Sequence, residues 1–273
     1  MTGPEGARPP AAEGLGAPVR RRAGSRYTVV NMLELLYERD LAYIHAAAFS
    51  GLAEGAAPEI VRRLRSARAA IRSVVDVGCG AGPLATALVE AGFDVTGIDA
   101  SADLITIAQQ RVPKARFLHS SIYDAEIPAC QAIVAVGEPL AYHAESADAD
   151  SRIASLFHRA AQALPAGGMF IFDLIEFGEP SLGSRSWHSG EDWAVLVETS
   201  EKQDSRTLVR RIETFRRVGE LYRRGCEVHT VRLFDTAALL NQLAGCGFET
   251  ETAQAYGASQ LPLRRRAFFC ARV

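Results

Sequence analysis

Apolar positions along the chain keep two main rhythms. Short apolar runs (Val74 to Val77, rich in β-branched residues, Val95 to Ile98, Phe117 to His119, Ile133 to Val136 and the MFIFD run ending at Asp173) read as strands, the first and fourth of them buried. Between them the spacing is helical: Leu84, Leu88 and Val89; Leu104, Ile105 and Ala108; Ile153, Leu156, Phe157 and Ala160. Pro83 suits a first helical position, Ser101 an N-cap, and Gly92 a helix stop. Upstream, Leu33, Leu36, Tyr37, Leu41, Ile44 and Phe49 predict an N-terminal helix, and PEIVRRLRSARAAIR predicts a further one with its arginines in solvent.

The rhythm changes near residue 178. WAVLVETSE, RTLVRRIETFRR and ELYRRGCEVHTVRLF alternate apolar and polar residues, with turns at Lys202–Asp204 and Val218–Gly219. They predict three antiparallel strands inserted before the last large helix. That helix starts at an Asp235 cap and stops at Gly247, ahead of a sixth strand and the closing RRRAFFCARV strand. Arg264 to Arg266 read as solvated. The first 24 residues carry almost no large apolar side chain and read as disordered, with Arg20 to Arg22 a solvated basic run.

The stretch VVDVGCGAGPLATALVEAGFDVTGID, residues 74 to 99, organises the rest. It is a βαβ unit with a glycine turn after its first strand and an acid after its second, and such a unit seats a ligand over the turn. The dinucleotide pattern is G-x-G-x-x-G. Here Gly78, Gly80 and Gly82 run G-x-G-x-G, Pro83 follows, and Asp76 stands inside the strand. A pyrophosphate wants N–H donors and no nearby carboxylate, so Asp76 opposes one. A ligand with an amino group, a sulfonium and a ribose diol suits the loop better, with Asp99 accepting from ribose hydroxyls.

These residues carry a family resemblance. VVDVGCGAG followed by GIDAS resembles the first two motifs of class I S-adenosylmethionine (SAM)-dependent methyltransferases, LPAGG resembles that family's turn before strand five, and AGCGF resembles its L-x-x-A-G-F ending. The resemblance spans about 70 to 177 and 232 to 273. It implies an α/β, Rossmann-like, doubly wound sheet of seven strands whose last strand is antiparallel, with N-terminal helices and a small antiparallel β insertion. The implied organisation is a tail (1–26), a helical lid (27–73), a SAM-binding domain (74–177 and 232–273) and a β cap (178–231). The cofactor is then SAM and its product S-adenosylhomocysteine (SAH), held by Asp76, Gly78, Cys79, Gly80, Asp99, Ala100, Ser121, Ile122, Val136 and Gly137. Many relatives carry an acid where Ser121 stands, which moves the adenine amine contact toward backbone.

Glu138 falls at the mouth of strand four, beside the reacting methyl in the family. The candidate proton-accepting residues are His143 and Glu138, with His45 in reserve. Tyr43, Tyr142, Trp187 and Tyr222 are the candidate substrate contacts. Tyr37 and Asp40 are further lid candidates, and His188, Trp193, Arg210, Arg223 and His229 further cap candidates. Tyr256 is placed to reach the pocket. The reaction is attack by a small-molecule N or O nucleophile on the SAM methyl. Two alternatives are a SAM-binding sensor or partner subunit without methyl transfer, and another SAM-using enzyme of the same fold.

Composition narrows the partners. A formal net charge of −2 disfavours a nucleic-acid or membrane surface. No N/D-P-P-Y motif is present; VGEPLAY stands in its place, which argues against DNA, RNA or protein-glutamine acceptors. The five cysteines are scattered without a CxxC pair, so free thiols, no metal site and a cytoplasmic location are expected. No apolar run is long enough to span a bilayer. A homodimer through the β insertion is a further expectation.

Overall fold

The structure is a computed structural model, and it describes residues 36–142 and 149–273. The expected tail, Leu33 of the expected first helix, and His143 lie outside the described residues.

Two helices come first, α1 (Arg39–Ala48) and α2 (Gly51–Arg65). The core alternation follows: β1 (Ser73–Val77), α3 (Pro83–Glu90), β2 (Asp94–Asp99), α4 (Ala102–Arg111), β3 (Arg116–His119), β4 (Ala132–Ala135), α5 (Ala149–Ala163) and β5 (Met169–Ile175). Then come β6 (Ser184–Ser189), β7 (Trp193–Lys202), β8 (Thr207–Val218) and β9 (Leu221–Arg232). The chain closes with α6 (Thr236–Gly245), β10 (Phe248–Ala253), the short β11 (Ala255–Tyr256) and β12 (Ser259–Gln260), and β13 (Arg265–Arg272).

Seven strands form one sheet in the order β10-β13-β5-β4-β1-β2-β3. β1, β2, β3, β4 and β5 pair in parallel, and β13 runs antiparallel to both β5 and β10. The expected fold class therefore holds, including its reversed last strand. Successive side chains of a strand face opposite ways, and β5 shows the result. Phe170, Phe172 and Leu174 join Phe157, Phe248 and Phe268 under α5 and α6, while Met169 and Ile171 join Ile60, Leu64, Leu84 and Leu88 under α2 and α3. Covered on both faces, the sheet leaves its strand ends as the place for a ligand. The order reverses at β1, which has β4 on one side and β2 on the other, and a crevice opens there.

Several local expectations hold. Ser101 Oγ accepts from Leu104 N at 3.2 Å, and Asp235 Oδ1 accepts from Ala238 N at 2.9 Å. Two do not. Helix α2 continues through Pro58, where the sequence predicts a new start. An internal proline costs about 3 kcal/mol, and full burial of Ile60 and Leu64 returns about 1.5–3 kcal/mol each. The insertion has four strands, since β6 (SRSWHS) is an edge strand exposed along its whole length and shows no apolar alternation.

Helix α1 joins the inserted sheet to the nucleotide-binding half. Leu41 and Ile44 bury against Val195 of β7 and Ile212 of β8, while Ala42 packs on Ala81 and Leu104. Ion pairs reinforce the first contact: Arg223 grips Asp40 at 2.5 and 2.6 Å.

Candidate active site

A cavity of about 480 Å³ lies at the carboxyl ends of β1, β2 and β4, roofed by α1 and walled by the inserted sheet. All ten residues expected to hold the cofactor line it. The glycine turn is laced to the end of β2, with Gly78 N and Cys79 N donating to Ile98 O at 2.7 and 3.2 Å. Gly78 has φ +64°, and a Cβ there would stand 2.2 Å from Pro139 Cβ. Only glycine allows the turn and the exit of β4 to approach this closely.

Asp99 accepts Gly80 N through Oδ2 and Ser101 N through Oδ1, each at 2.8 Å. Burial raises its pKa, and those two N–H groups oppose the rise. A carboxylate has about four acceptor sites, so Asp99 keeps capacity for a diol. Asp76 is different. It is buried, its Oδ2 has no hydrogen-bond partner, and burial followed by the charge of Asp99 pushes its pKa up to about 8. An acceptor left unmet in a ligand cavity fits an N–H donor from the ligand. Ser121 serves its own loop: its Oγ accepts from Tyr123 N at 3.2 Å.

The cavity is also lined by Tyr37, His45, Tyr142, His188, Arg210 and Arg265. Tyr37 and Tyr142 share a hydroxyl hydrogen bond of 3.1 Å. Tyr37 is held at φ +53°, which strains a bulky residue. Two other elements pin it: from β9, Glu227 accepts its N–H at 2.7 Å and the His229 ring lies tilted 4.9 Å from its own, and at the start of α4 Ser101 Oγ donates to its carbonyl at 2.8 Å. His45 is partly buried and lines the cavity; burial, then the nearby His229, pushes its pKa down to about 4. It is therefore neutral near pH 7, an imidazole with a free acceptor lone pair.

Several expectations are corrected here. Glu138 is not a free base. It is 2% exposed, holds φ +59°, and its carboxylate is claimed by Arg210 Nη1 at 2.5 Å and by Arg265 Nη2. Tyr43 points away from the cavity, its hydroxyl donating to Asp192 at 3.3 Å and its ring lying under Arg216. Trp187 and Tyr222 are 73% and 58% exposed and line no part of the cavity. Strand alternation explains Trp187: its neighbours Ser186 and His188 face in, so it faces out. Tyr256 is buried behind the site, bonded to Asp173 at 3.1 Å. Arg264 to Arg266 are not solvated: Arg264 pairs with Glu201, Arg265 with Glu138 and Arg266 with Glu176.

Glu227 was not among the sequence candidates. It accepts backbone N–H from Tyr37 and Glu38 and meets His229 Nε2 at 2.8 Å, tying the cap to the start of α1. The signal was the E-x-H spacing, which puts both side chains on one face of a strand.

The fold and this cavity suit a nucleoside ligand at the switch point of the sheet. Residues 74–168 match the methyltransferase-domain family. Over 187 residues the chain is 27% identical to the putative methyltransferase YqeM of Bacillus subtilis, a stretch covering 64% of this chain and 73% of that protein. A SAM-dependent methyltransferase from Clostridium acetobutylicum superposes with a TM-score of 0.71 at 16% identity, over 85% of this chain and 97% of its own. The sugar N-methyltransferase KedS8 from Streptoalloteichus superposes at 0.67 and 19% identity, over 96% and 98%. Residues 74–168 thus form a methyltransferase domain, the chain as a whole resembles the class I SAM-dependent methyltransferases, and SAM is the cofactor these likenesses support.

The residues present fit that cofactor. Asp99 offers acceptors for a ribose diol, and the orphaned Oδ2 of Asp76 offers one for an ammonium. No cluster able to hold a metal ion occurs among the described residues, and no helix among them is long and apolar enough to cross a membrane.

Proposed function

We propose that this enzyme methylates an N or O nucleophile on a small molecule. The observation that carries the reading is continuity: one cavity runs from Asp76 and Asp99 to Tyr37, His45 and Tyr142, under α1 and the inserted sheet. Cofactor and acceptor share about 480 Å³, a volume in the range of small-molecule sites. The net charge of −2 supplies no general attraction for nucleic acid. KedS8, a sugar N-methyltransferase, has the same fold, which is compatible with a small acceptor.

SAM supplies an electrophilic methyl on a cationic sulfur, already a good leaving group. The work left to the protein is alignment and exclusion of water. Val195, Val197 and Ile212 of the cap and Leu41 and Phe49 from the α1 region provide apolar walls. Neutral His45 accepts a hydrogen bond from an N–H or O–H of the acceptor, which points a lone pair of the nucleophile elsewhere, toward the cofactor. Glu138, clamped by two arginines, shapes the exit of β4.

The test is transfer of labelled methyl from SAM to panels of amines, phenols, alcohols and carboxylates, with SAH release measured in parallel. Label on a small amine or hydroxyl compound is the expected result. Label found only on protein or nucleic acid would overturn the reading. SAM binding with no transfer to any class would favour a sensor.

A further inference from the structure

The inserted sheet lays a flat, largely apolar patch against the cavity. Ser186 and His188 of β6, Val195 and Val197 of β7, and Ile212 of β8 all line it. In register, Ser186 stands opposite Val197, Val197 opposite Ile212, and His188 opposite Val195. Directly opposed residues of antiparallel strands share a face, so these five side chains lie side by side on one surface. Strands stand about 4.8 Å apart, which makes a three-strand patch about 10 Å wide. Its aliphatic members, Val195, Val197 and Ile212, carry no hydrogen-bonding group. Leu41 of α1 packs on Val195 and Ile212 and closes one side.

Five aromatic rings continue this surface around the cavity. Between ring centroids, Tyr142 lies 6.3 Å from Tyr37, Tyr37 5.0 Å from His45, His45 6.1 Å from Phe49, and Phe49 5.3 Å from His188. All five line the cavity, and His188 joins the chain of rings to the sheet patch. The rings meet at angles from 22° to 88°, so they present both faces and edges. Most polar groups near them are engaged. The Tyr37 and Tyr142 hydroxyls bond each other, and Arg210, two residues before Ile212 on the same face of β8, is held by Glu138. The imidazoles of His45 and His188 make ring contacts and no hydrogen bond among the described residues. A sugar carries a hydroxyl on nearly every carbon, and each one buried against Val195, Val197 or Ile212 would lose its water without gaining a partner. A flat aromatic ligand gives up little there, and its ring meets other rings edge to face or offset.

We propose that the acceptor is a flat aromatic compound of one or two rings whose nucleophile is an amine or hydroxyl on the ring, an aryl amine or a phenol. This deepens the small-molecule reading and rests on it. The ring is held by the Val195, Val197 and Ile212 patch and by the neighbouring aromatic side chains, which therefore determine specificity. The one N–H or O–H of the acceptor needs one polar partner, and His45 is free to be it. A lone pair on that N or O forms the bond to the methyl carbon, the C–S pair returns to sulfur to leave SAH, and the proton is released to water.

The test is calorimetric titration of the SAH-saturated protein with 2-naphthol, with its saturated counterpart decahydro-2-naphthol, which is not flat, and with glucosamine. The expected result is saturable binding of 2-naphthol at least tenfold tighter than that of decahydro-2-naphthol, and no saturable binding of glucosamine. Phe49→Ala and His188→Ala, each removing one ring of the wall, are expected to weaken 2-naphthol at least threefold and to leave SAH affinity unchanged. Glucosamine or decahydro-2-naphthol binding as tightly as 2-naphthol, no saturable binding of 2-naphthol, or a 2-naphthol affinity indifferent to both substitutions would overturn the proposal. In a parallel arm, labelled methyl from SAM is offered to phenols, aryl amines, aliphatic amines and amino sugars, and label on an aryl compound is expected. Label on an aliphatic amine or amino sugar and on no aryl compound would overturn the proposal while the small-molecule reading stands. Label on protein or nucleic acid alone would overturn both.

Discussion

Replacing Asp99 by alanine acts on two things at once, and the structure separates them. The carboxylate holds the glycine turn through Gly80 N and Ser101 N, both at 2.8 Å. It also presents its remaining lone pairs to the cavity. Losing the contact to the ribose removes hydrogen bonds to a charged group, a loss of about 1.5–3 kcal/mol. At 1.4 kcal/mol per factor of ten, SAH affinity should fall about 10- to 150-fold. Leaving the two backbone N–H groups unmet costs about 1–3 kcal/mol of stability for each that stays buried. Asp99→Asn keeps one oxygen acceptor, so its losses should be smaller on both counts. Calorimetric titration with SAH gives the first quantity and denaturant unfolding of the free protein the second. Unchanged SAH affinity in a folded Asp99→Ala would refute the assignment. A loss of stability alone would leave Asp99 a purely structural residue.

Three further outcomes are expected. Burial raises the folded pKa of Asp76 to about 8, above its unfolded value, so the unfolded chain binds fewer protons and stability falls as pH rises from about 4 to 8; Asp76→Asn should flatten that slope in urea unfolding, and an unchanged slope would contradict it. Glu138→Gln leaves Arg210 and Arg265 without their shared carboxylate and should cost about 3–5 kcal/mol, because breaking a buried ion pair strands its charges; a loss under 1 kcal/mol would show the pairs to be inconsequential. His45→Ala should lower turnover on an identified acceptor while SAH affinity stays near wild type, and a parallel drop in both would make His45 a packing residue.

The cofactor half was legible because one contiguous stretch encodes it. A strand, a glycine turn and a second strand ending in Asp99 place their side chains by local geometry, and Asp76, Gly78, Cys79, Gly80 and Asp99 meet there in one cavity, joined by Ser121, Ile122, Val136 and Gly137 from the exits of β3 and β4. The acceptor half is assembled from segments far apart in sequence. Tyr37, Glu138, Arg210, Glu227 and Arg265 meet only because α1 and the inserted sheet fold over the mouth of β4. The sequence contexts of Glu227 and Arg265 look like ordinary surface. Arg265 sits in an RRR run that reads as solvated, and only the β13–β5 pairing and the buried Glu138 show otherwise. Aromatic residues proved a poor guide within the insertion. Trp187 and Tyr222 face out, while the smaller Ser186, Val195 and Val197 line the cavity, since alternation along a strand decides the facing and a missed strand hides the register.

A crystal structure of the SAH complex tests the central claim most directly. The account predicts SAH in the cavity at the ends of β1, β2 and β4, its ribose hydroxyls on Asp99, its amino group toward Asp76, and its sulfur facing the corner of Tyr37, His45 and Tyr142. SAH bound elsewhere, or bound there with Asp99 unengaged and its sulfur turned away from that corner, would contradict it.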